Sequence, residues 1–199
     1  GGVDLRGLRV LEVSCGHGGG ASYFARTYQP AEYAGLDLNP EAIRHCQARH
    51  QVVGLRFQVG DAQKLPFADN SFDVVINVEA SHCYPDFPGF VDEVARILKP
   101  NGRFCHADLR YQNGIDEWIS ALAKHSQFRL DEMRLINPEV IHGMELNTPR
   151  YVAMVKQALP RFLHGLALDF AGVKGSRLHR DALSGEMSYR SFRLTKRQG

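Results

Sequence analysis

The sequence predicts a doubly wound α/β fold built on a seven-stranded, mostly parallel sheet. Three observations carry the prediction. Short apolar, β-branched runs alternate with helical patterns through the first half of the chain, the connections between them are short, and the runs end in glycine or a carboxylate.

Taken in order, residues 8–14 read as a buried strand that opens into a glycine-rich stretch, Gly16 to Gly20, and then a helical pattern over 21–26. Residues 33–37 are a second strand ending in Asp37. Asn39-Pro40 starts a helix that reaches residue 50, because Asn caps a helix and Pro fits its first turn. Residues 55–59 are a third strand, closed by Gly60-Asp61, and 72–78 a fourth. Over 87–98, Phe87, Phe90, Val91, Val94, Ile97 and Leu98 fall on one side of a helix. Lys99-Pro100-Asn101-Gly102 is a turn, and 103–109 a fifth strand. The second half is less regular. A helix is expected over 115–124, a sixth strand over 128–136, and a last, antiparallel strand over 188–195. Residues 149–168 read as helical, broken at Pro160, forming a lid or substrate wall.

A chain of 199 residues suits one domain with a full core, here divided into a cofactor-binding half (1–110) and a substrate-side and closing-strand half (111–199). It is 44% hydrophobic and 23% charged, with a net charge of +2 from scattered residues, so no nucleic-acid partner is expected. No apolar run is long enough to cross a bilayer, and neither a signal peptide nor a membrane partner is expected. Cys15, Cys46, Cys83 and Cys105 match no zinc spacing and read as free thiols of a reducing, cytoplasmic compartment. No Asp, Glu or His cluster has metal-ligand spacing. Nothing signals a partner helix, and a monomer is expected. The chain opens Gly1-Gly2-Val3-Asp4 without methionine, as a domain cut from a longer polypeptide would.

Related signals stand at successive strand ends. Glu12 precedes Ser14, Gly16 and Gly18 in a loop whose glycines let the backbone turn tightly and approach a ligand. A carboxylate there is unfavourable beside a pyrophosphate but suits a cationic amino group. Asp37 is placed to accept hydrogen bonds from ribose hydroxyls. Asp61 can accept from an adenine amino group, and Ala62 leaves room near the ring. Each Asp alone also fits a turn or helix cap, and a dinucleotide dehydrogenase uses similar elements.

The ensemble closely resembles the class I S-adenosylmethionine methyltransferases. Glu12, Gly16 and Gly18, Asp37, Asp61-Ala62, Leu65-Pro66-Phe67 with Phe72-Asp73-Val74-Val75, and Leu98-Lys99-Pro100-Asn101-Gly102-Arg103 match its pattern over residues 8–110, with Asn101 where Gly is common. The resemblance implies S-adenosylmethionine as methyl donor and S-adenosylhomocysteine as product. It implies a cofactor site built from Glu12, Ser14, Gly16, Gly18, Asp37, Leu38, Asp61, Ala62 and Asn77.

Strand four runs directly into Asn77-Val78-Glu79-Ala80-Ser81-His82-Cys83-Tyr84-Pro85. Histidine is the natural base near neutral pH, and Glu79 lies three residues earlier, where one turn brings the pair together. His82 is therefore assigned as general base and Glu79 as its carboxylate partner; a cofactor contact is the other reading of Glu79. His106, Asp108, His142, Glu145 and Glu186 are weaker pocket candidates. The stretches 13–20, 35–40 and 77–85, with 170–175 and 188–192, resemble the phthiotriol dimycocerosate methyltransferase group and the O-methyltransferase domains of modular polyketide synthases. That similarity implies methylation of a polyketide hydroxyl, carried on an acyl carrier protein if the chain is an excised synthase domain beside neighbouring domains. A free-standing O- or C-methyltransferase acting on a diffusible lipid or natural product is the enzymatic alternative, and a cofactor-binding module without turnover the non-enzymatic one.

Overall fold

The computed structural model describes residues 4–198; the opening Gly1-Gly2-Val3 lies outside them. The described residues form two compact units, residues 4–108 with 117–133 and 191–198, and residues 109–116 with 134–190. Parts of the predicted substrate-side half, 117–133 and 191–198, therefore belong to the first unit.

Strands β1 (Arg9–Val13), β2 (Glu32–Asp37), β3 (Leu55–Val59), β4 (Phe72–Val78), β5 (Leu98–Tyr111), β6 (Phe128–Leu135) and β7 (Met187–Lys196) make one seven-stranded sheet of order β3-β2-β1-β4-β5-β7-β6. Pairs β1–β2, β1–β4, β2–β3 and β4–β5 are parallel. The central strands β1, β2 and β4 are largely apolar and buried because helices cover both faces. On one face α1 (Gly19–Tyr28) and α2 (Pro40–Arg49) enclose Val10, Ala21, Ala25, Tyr33, Ile43 and Cys46. On the other, α3 (Phe87–Ile97) and α4 (Ile115–Ala123) contribute Phe90, Val94, Trp118 and Leu122, packed with Leu11, Val75 and Phe104.

Local chemistry explains the boundaries. Asn39 caps α2, its side chain accepting from the Glu41 N–H, and Asp86 caps α3 by accepting from the Gly89 N–H. The turn expected at Lys99–Gly102 appears as an irregularity between two registers of the β4–β5 pair, Phe72 opposite Leu98 and Val74 opposite Arg103. Asn101 takes the left-handed conformation there, φ 63°, which Asn tolerates well among non-glycine residues.

In the second unit α5 (Asn137–Ala158) begins earlier than the pattern suggested and contains Pro149, while α6 (His164–Phe170) follows the break at Pro160. Helix α7 (Arg177–Ser184) was not anticipated. Ser176 caps it by accepting from the His179 N–H, and Gly185 ends it at φ 80°. Buried Asn137 ties the unit together: its amide donates to Ala182 O and Met187 O and accepts from the Tyr189 N–H. No helix of the described residues is long and apolar enough to cross a membrane.

Gly35 in β2 shows how tightly the α1–α2 face is packed. A Cβ there would lie 2.6 Å from the Phe57 ring and 3.0 Å from Cys15 Sγ. Gly35→Ala is expected to lower stability by about 1–3 kcal/mol through overpacking, read from urea unfolding. Adding Phe57→Leu should recover part of the loss, and an additive further loss would show that the ring is not what the methyl meets.

Candidate active site

Strand order reverses between β1 and β4, so the crevice beyond their carboxyl ends is where a sheet of this kind takes its ligand. The loop leaving β1 is fastened to the end of β2. Asp37 Oδ2 accepts from the Gly16 N–H at 2.8 Å, and its Oδ1 from the Asn39 N–H at 2.9 Å. Gly18 precedes α1 at φ 74°, and a Cβ there would stand 2.9 Å from Cys46 Sγ and 2.8 Å from the Phe57 ring, so glycine is needed for conformation and for space. A Cβ at Gly16 would meet nothing within 4 Å, which leaves the open side of the loop clear for a ligand.

Below that opening lie polar groups set in the core. Burial pushes the Glu12 carboxyl above its usual range, opposed by the Tyr33 hydroxyl that donates to it at 2.7 Å. Asn77 has no exposed surface, and its amide nitrogen donates to Val13 O and to the Tyr84 hydroxyl, both at 3.0 Å. A carbonyl can only accept, so the amide cannot be flipped, and Asn77 Oδ1 is left buried with no partner among the described residues. The Tyr84 hydroxyl shares a 2.6 Å hydrogen bond with Ser14 Oγ, on a residue held at φ 59°. Burial pushes the Tyr84 phenol up to about 12, although Ser14 and Asn77 favour its ionised form. A buried carboxyl whose charge burial penalises and an orphaned amide oxygen call for a donor-rich, positively charged group. The amino end of S-adenosylmethionine has that character, so the residues fit it.

A second polar cluster lies where β4 ends beside β5, with Val78 opposite Ala107. A 3-10 turn, Ser81–Cys83, follows β4. Asp108, fully buried on β5, accepts from Ser81 Oγ at 2.6 Å and from the His82 N–H at 3.1 Å, and its Oδ1 pairs with His82 Nδ1 at 2.7 Å. The His82 side chain keeps 33% of its surface exposed. The carboxylate on the ring nitrogen is thus Asp108 rather than Glu79, which corrects the pairing drawn from sequence spacing. The reason lies in the backbone. Glu79 takes φ 49° as its N–H bonds Ala107 O, and the next residues form the tight turn that delivers His82 to β5. Glu79 stays close: burial first, and then the charge of Asp108, raise its pKa, while His82 opposes.

The Gly60 N–H bonds Asp37 O at 3.0 Å, which sets Asp61 beside the end of β2; Asp61 Oδ1 accepts from the Gln63 N–H, Ala62 is buried in the core, and Leu38 is exposed. His106 is a core histidine, accepting from Trp118 Nε1 at 3.0 Å and stacked on Phe104. Glu145 pairs with Lys174 and His179 in the second unit. Tyr84 was missed, since nothing in its spacing marks it. Among the described residues no group of three or more His, Cys, Asp or Glu side chains is arranged to hold a metal ion.

Fold and site together define an S-adenosylmethionine-dependent methyltransferase. Residues 11–106 match a family model described as a methyltransferase domain. The phthiotriol/phenolphthiotriol dimycocerosates methyltransferase of Mycobacterium leprae (strain TN) is 50% identical over 194 residues, 98% of this chain and 72% of that protein. The fatty-acid O-methyltransferase of Mycolicibacterium smegmatis (strain ATCC 700084 / mc(2)155) is 51% identical over 161 residues, 81% of this chain and 58% of that protein. Among solved structures, the O-methyltransferase from a trans-AT PKS multienzyme of Brevibacillus brevis, in complex with S-adenosyl-L-homocysteine, aligns with a TM-score of 0.71 at 21% identity over 95% of this chain and 66% of that one. The chain belongs to the phthiotriol/phenolphthiotriol dimycocerosates methyltransferase family.

Two tests follow from the geometry. Tyr84→Phe keeps the ring against Phe90 but releases the Asn77 amide. Calorimetry should show S-adenosylhomocysteine binding weakened about tenfold, with 5′-methylthioadenosine, which lacks the amino-acid end, scarcely affected. Equal weakening of both would make Tyr84 a packing residue only. The second concerns pH. Because the folded-state pKa of Glu79 is raised above the ordinary 4.5, the folded state binds the extra proton, and stability falls as pH rises out of the carboxylate range. Glu79→Gln should therefore stabilise the protein at neutral pH and give no gain once both states are protonated, as read from urea unfolding at the two pH values.

Proposed function

We propose that this chain transfers a methyl group from S-adenosylmethionine to an oxygen of a lipid-like or polyketide-type acceptor, with His82 as general base and Asp108 as the group that holds its ring. The observation that carries this reading is the 2.7 Å contact of His82 Nδ1 with buried Asp108, on a ring one-third exposed just beyond the end of β4.

An alcohol keeps its proton far above neutral pH and is a weak nucleophile until that proton is drawn off. A positioned base contributes about 10²–10⁴-fold. The tautomer that donates Nδ1–H to Asp108 carries its basic lone pair on Nε2, and the carboxylate favours the imidazolium formed when that nitrogen takes the proton. Ser81 Oγ and the His82 N–H fix the carboxylate in turn. S-adenosylmethionine, when bound, supplies a methyl group on a positively charged sulfur. Glu12 and Asn77 would hold its amino end and Asp37 its sugar, which orients the acceptor oxygen against it.

Names among the relatives guide the choice of acceptor. The Mycobacterium leprae protein is named for phthiotriol and phenolphthiotriol dimycocerosates, and the Mycolicibacterium smegmatis protein for methylation of fatty acids on oxygen. On their strength we assign a diffusible, long-chain acceptor. The polyketide synthase domain, at 21% identity, speaks to the fold alone. An acyl chain on a carrier protein, beside neighbouring synthase domains, is the form to be separated by experiment.

The test uses methyl-labelled donor with long-chain alcohols, fatty acids and hydroxyacyl chains, each free and on an acyl carrier protein, with products read by fragmentation. Methylated oxygen on the free acceptor is expected. A new carbon–carbon bond would overturn the oxygen assignment, and turnover confined to carrier-bound chains would overturn the diffusible acceptor. His82→Ala should lose about 10²–10⁴-fold in kcat with S-adenosylhomocysteine affinity unchanged by calorimetry. Retained turnover would remove His82 as the base.

A further inference from the structure

The segment 146–168, which spans most of α5 and α6, contains no Asp or Glu and carries Arg150, Lys156 and Arg161, all exposed. None of these cations is ion-paired among the described residues. The acids that bracket the segment are engaged inside their own unit: Glu145 pairs with Lys174 and His179, and Asp169 Oδ1 accepts from the Arg177 N–H. Interleaved with the cations, large apolar side chains face solvent: Leu146 is 67% exposed, Met154 51%, Phe162 84% and Leu166 74%, with Phe170 just beyond at 89%. The apolar core of this unit is built from other residues, Ala182, Met187 and Tyr189 with Ile136, Val140 and Ile141. The exposed set is therefore surplus to folding.

Soluble surfaces seldom collect several large apolar side chains on one short segment unless something covers them. A protein partner of opposite charge would satisfy the cations, and a neutral apolar groove would satisfy the phenylalanines. An anionic lipid surface satisfies both at once, with side chains entering the headgroup boundary while Arg and Lys meet phosphates. We propose that residues 146–170 form a membrane-surface element that lies on anionic phospholipid without spanning it. Its use in gaining access to a membrane-dissolved acceptor rests on the proposed lipid acceptor; the binding itself does not. The absence of a spanning helix does not bear on this mode of contact, which needs no long apolar run.

The experiment is co-sedimentation of the full chain with vesicles of phosphatidylcholine alone and of phosphatidylcholine mixed with phosphatidylglycerol, at low and high salt. Binding is expected to the mixed vesicles and to weaken with salt. Each cation near the surface is worth about fivefold, so the triple variant Arg150→Gln, Lys156→Gln, Arg161→Gln should lose roughly a hundredfold. Phe162→Ser with Phe170→Ser, both at exposed positions, should abolish most of the remainder while leaving S-adenosylhomocysteine affinity unchanged by calorimetry. Absence of binding to mixed vesicles, or binding indifferent to both sets of substitutions, overturns the proposal. So does a concentration-dependent dimer on a sizing column that disappears in the double serine variant, which would assign the surface to a second copy. His82→Ala should bind vesicles as the unaltered chain does, so failure of the base assignment and failure of the lipid contact are read separately.

Discussion

A carboxylate with no exposed surface has to be met by donors within the protein, because an unpaired buried charge costs several kcal/mol or more. Asp108 is such a group, and consecutive residues of the turn after β4, Ser81 and His82, meet it. The encounter depends on sheet register. Parallel pairing sets Val78 opposite Ala107, which carries the turn beside Asp108. Strand side chains alternate between faces, so a one-residue slip would turn Asp108 to the opposite side and strand both groups. The irregularity at Lys99–Gly102 is where that register is fixed, far in sequence from the histidine it serves. Placement of the His82 ring thus follows from the pairing of two buried strands as well as from the turn that carries it.

The same strand end also serves the cofactor side. Asn77, the penultimate residue of β4, turns its amide to Val13 and Tyr84. Tyr84 in turn reaches Ser14 on the β1 loop. The segment bearing His82 is therefore tied at one end to Asp108 and, two residues later, to the glycine loop. His82 and the contact to the glycine loop through Tyr84 thus share one short piece of chain. Left-handed backbone at Ser14 and Glu79, neither a glycine, falls where β1 and β4 give way to their loops. Conformations of that kind persist where surrounding contacts over-determine them.

Strands β1, β2 and β4 were legible because they are largely buried, so composition alone marks them, whereas β3, an edge strand with Val59 exposed, was marked by the Gly60-Asp61 that closes it. His82 was legible because an apolar strand that ends in ionisable residues has few structural reasons to do so. Its partner was not, since spacing within one turn favoured Glu79, whereas Asp108 is brought in by a hydrogen-bonded neighbour strand that periodicity cannot specify. Asp108 stood among the weaker candidates for that reason. Tyr84 carried no signal, because its role exists only through atoms of Ser14 and Asn77. Helix α7 was announced by Ser176 at its start and Gly185 at its end, yet its short, polar middle concealed it.

Helix α5 poses a different case. Periodicity placed its start near Pro149, and the structure begins it at Asn137. Apolar positions along a surface helix form one stripe when they all face one core. Here they do not. Val140, Ile141 and Met144 turn toward Met187 and Tyr189, while Leu146 and Met154 face outward. Two apolar environments superimposed on one helix blur the 3.6-residue repeat that sequence reading relies on. The loss of pattern and the exposed side chains therefore have one cause. A helix under selection for folding alone would be expected to keep its outward positions polar, and the blurred pattern is the one the proposed lipid-facing surface would leave.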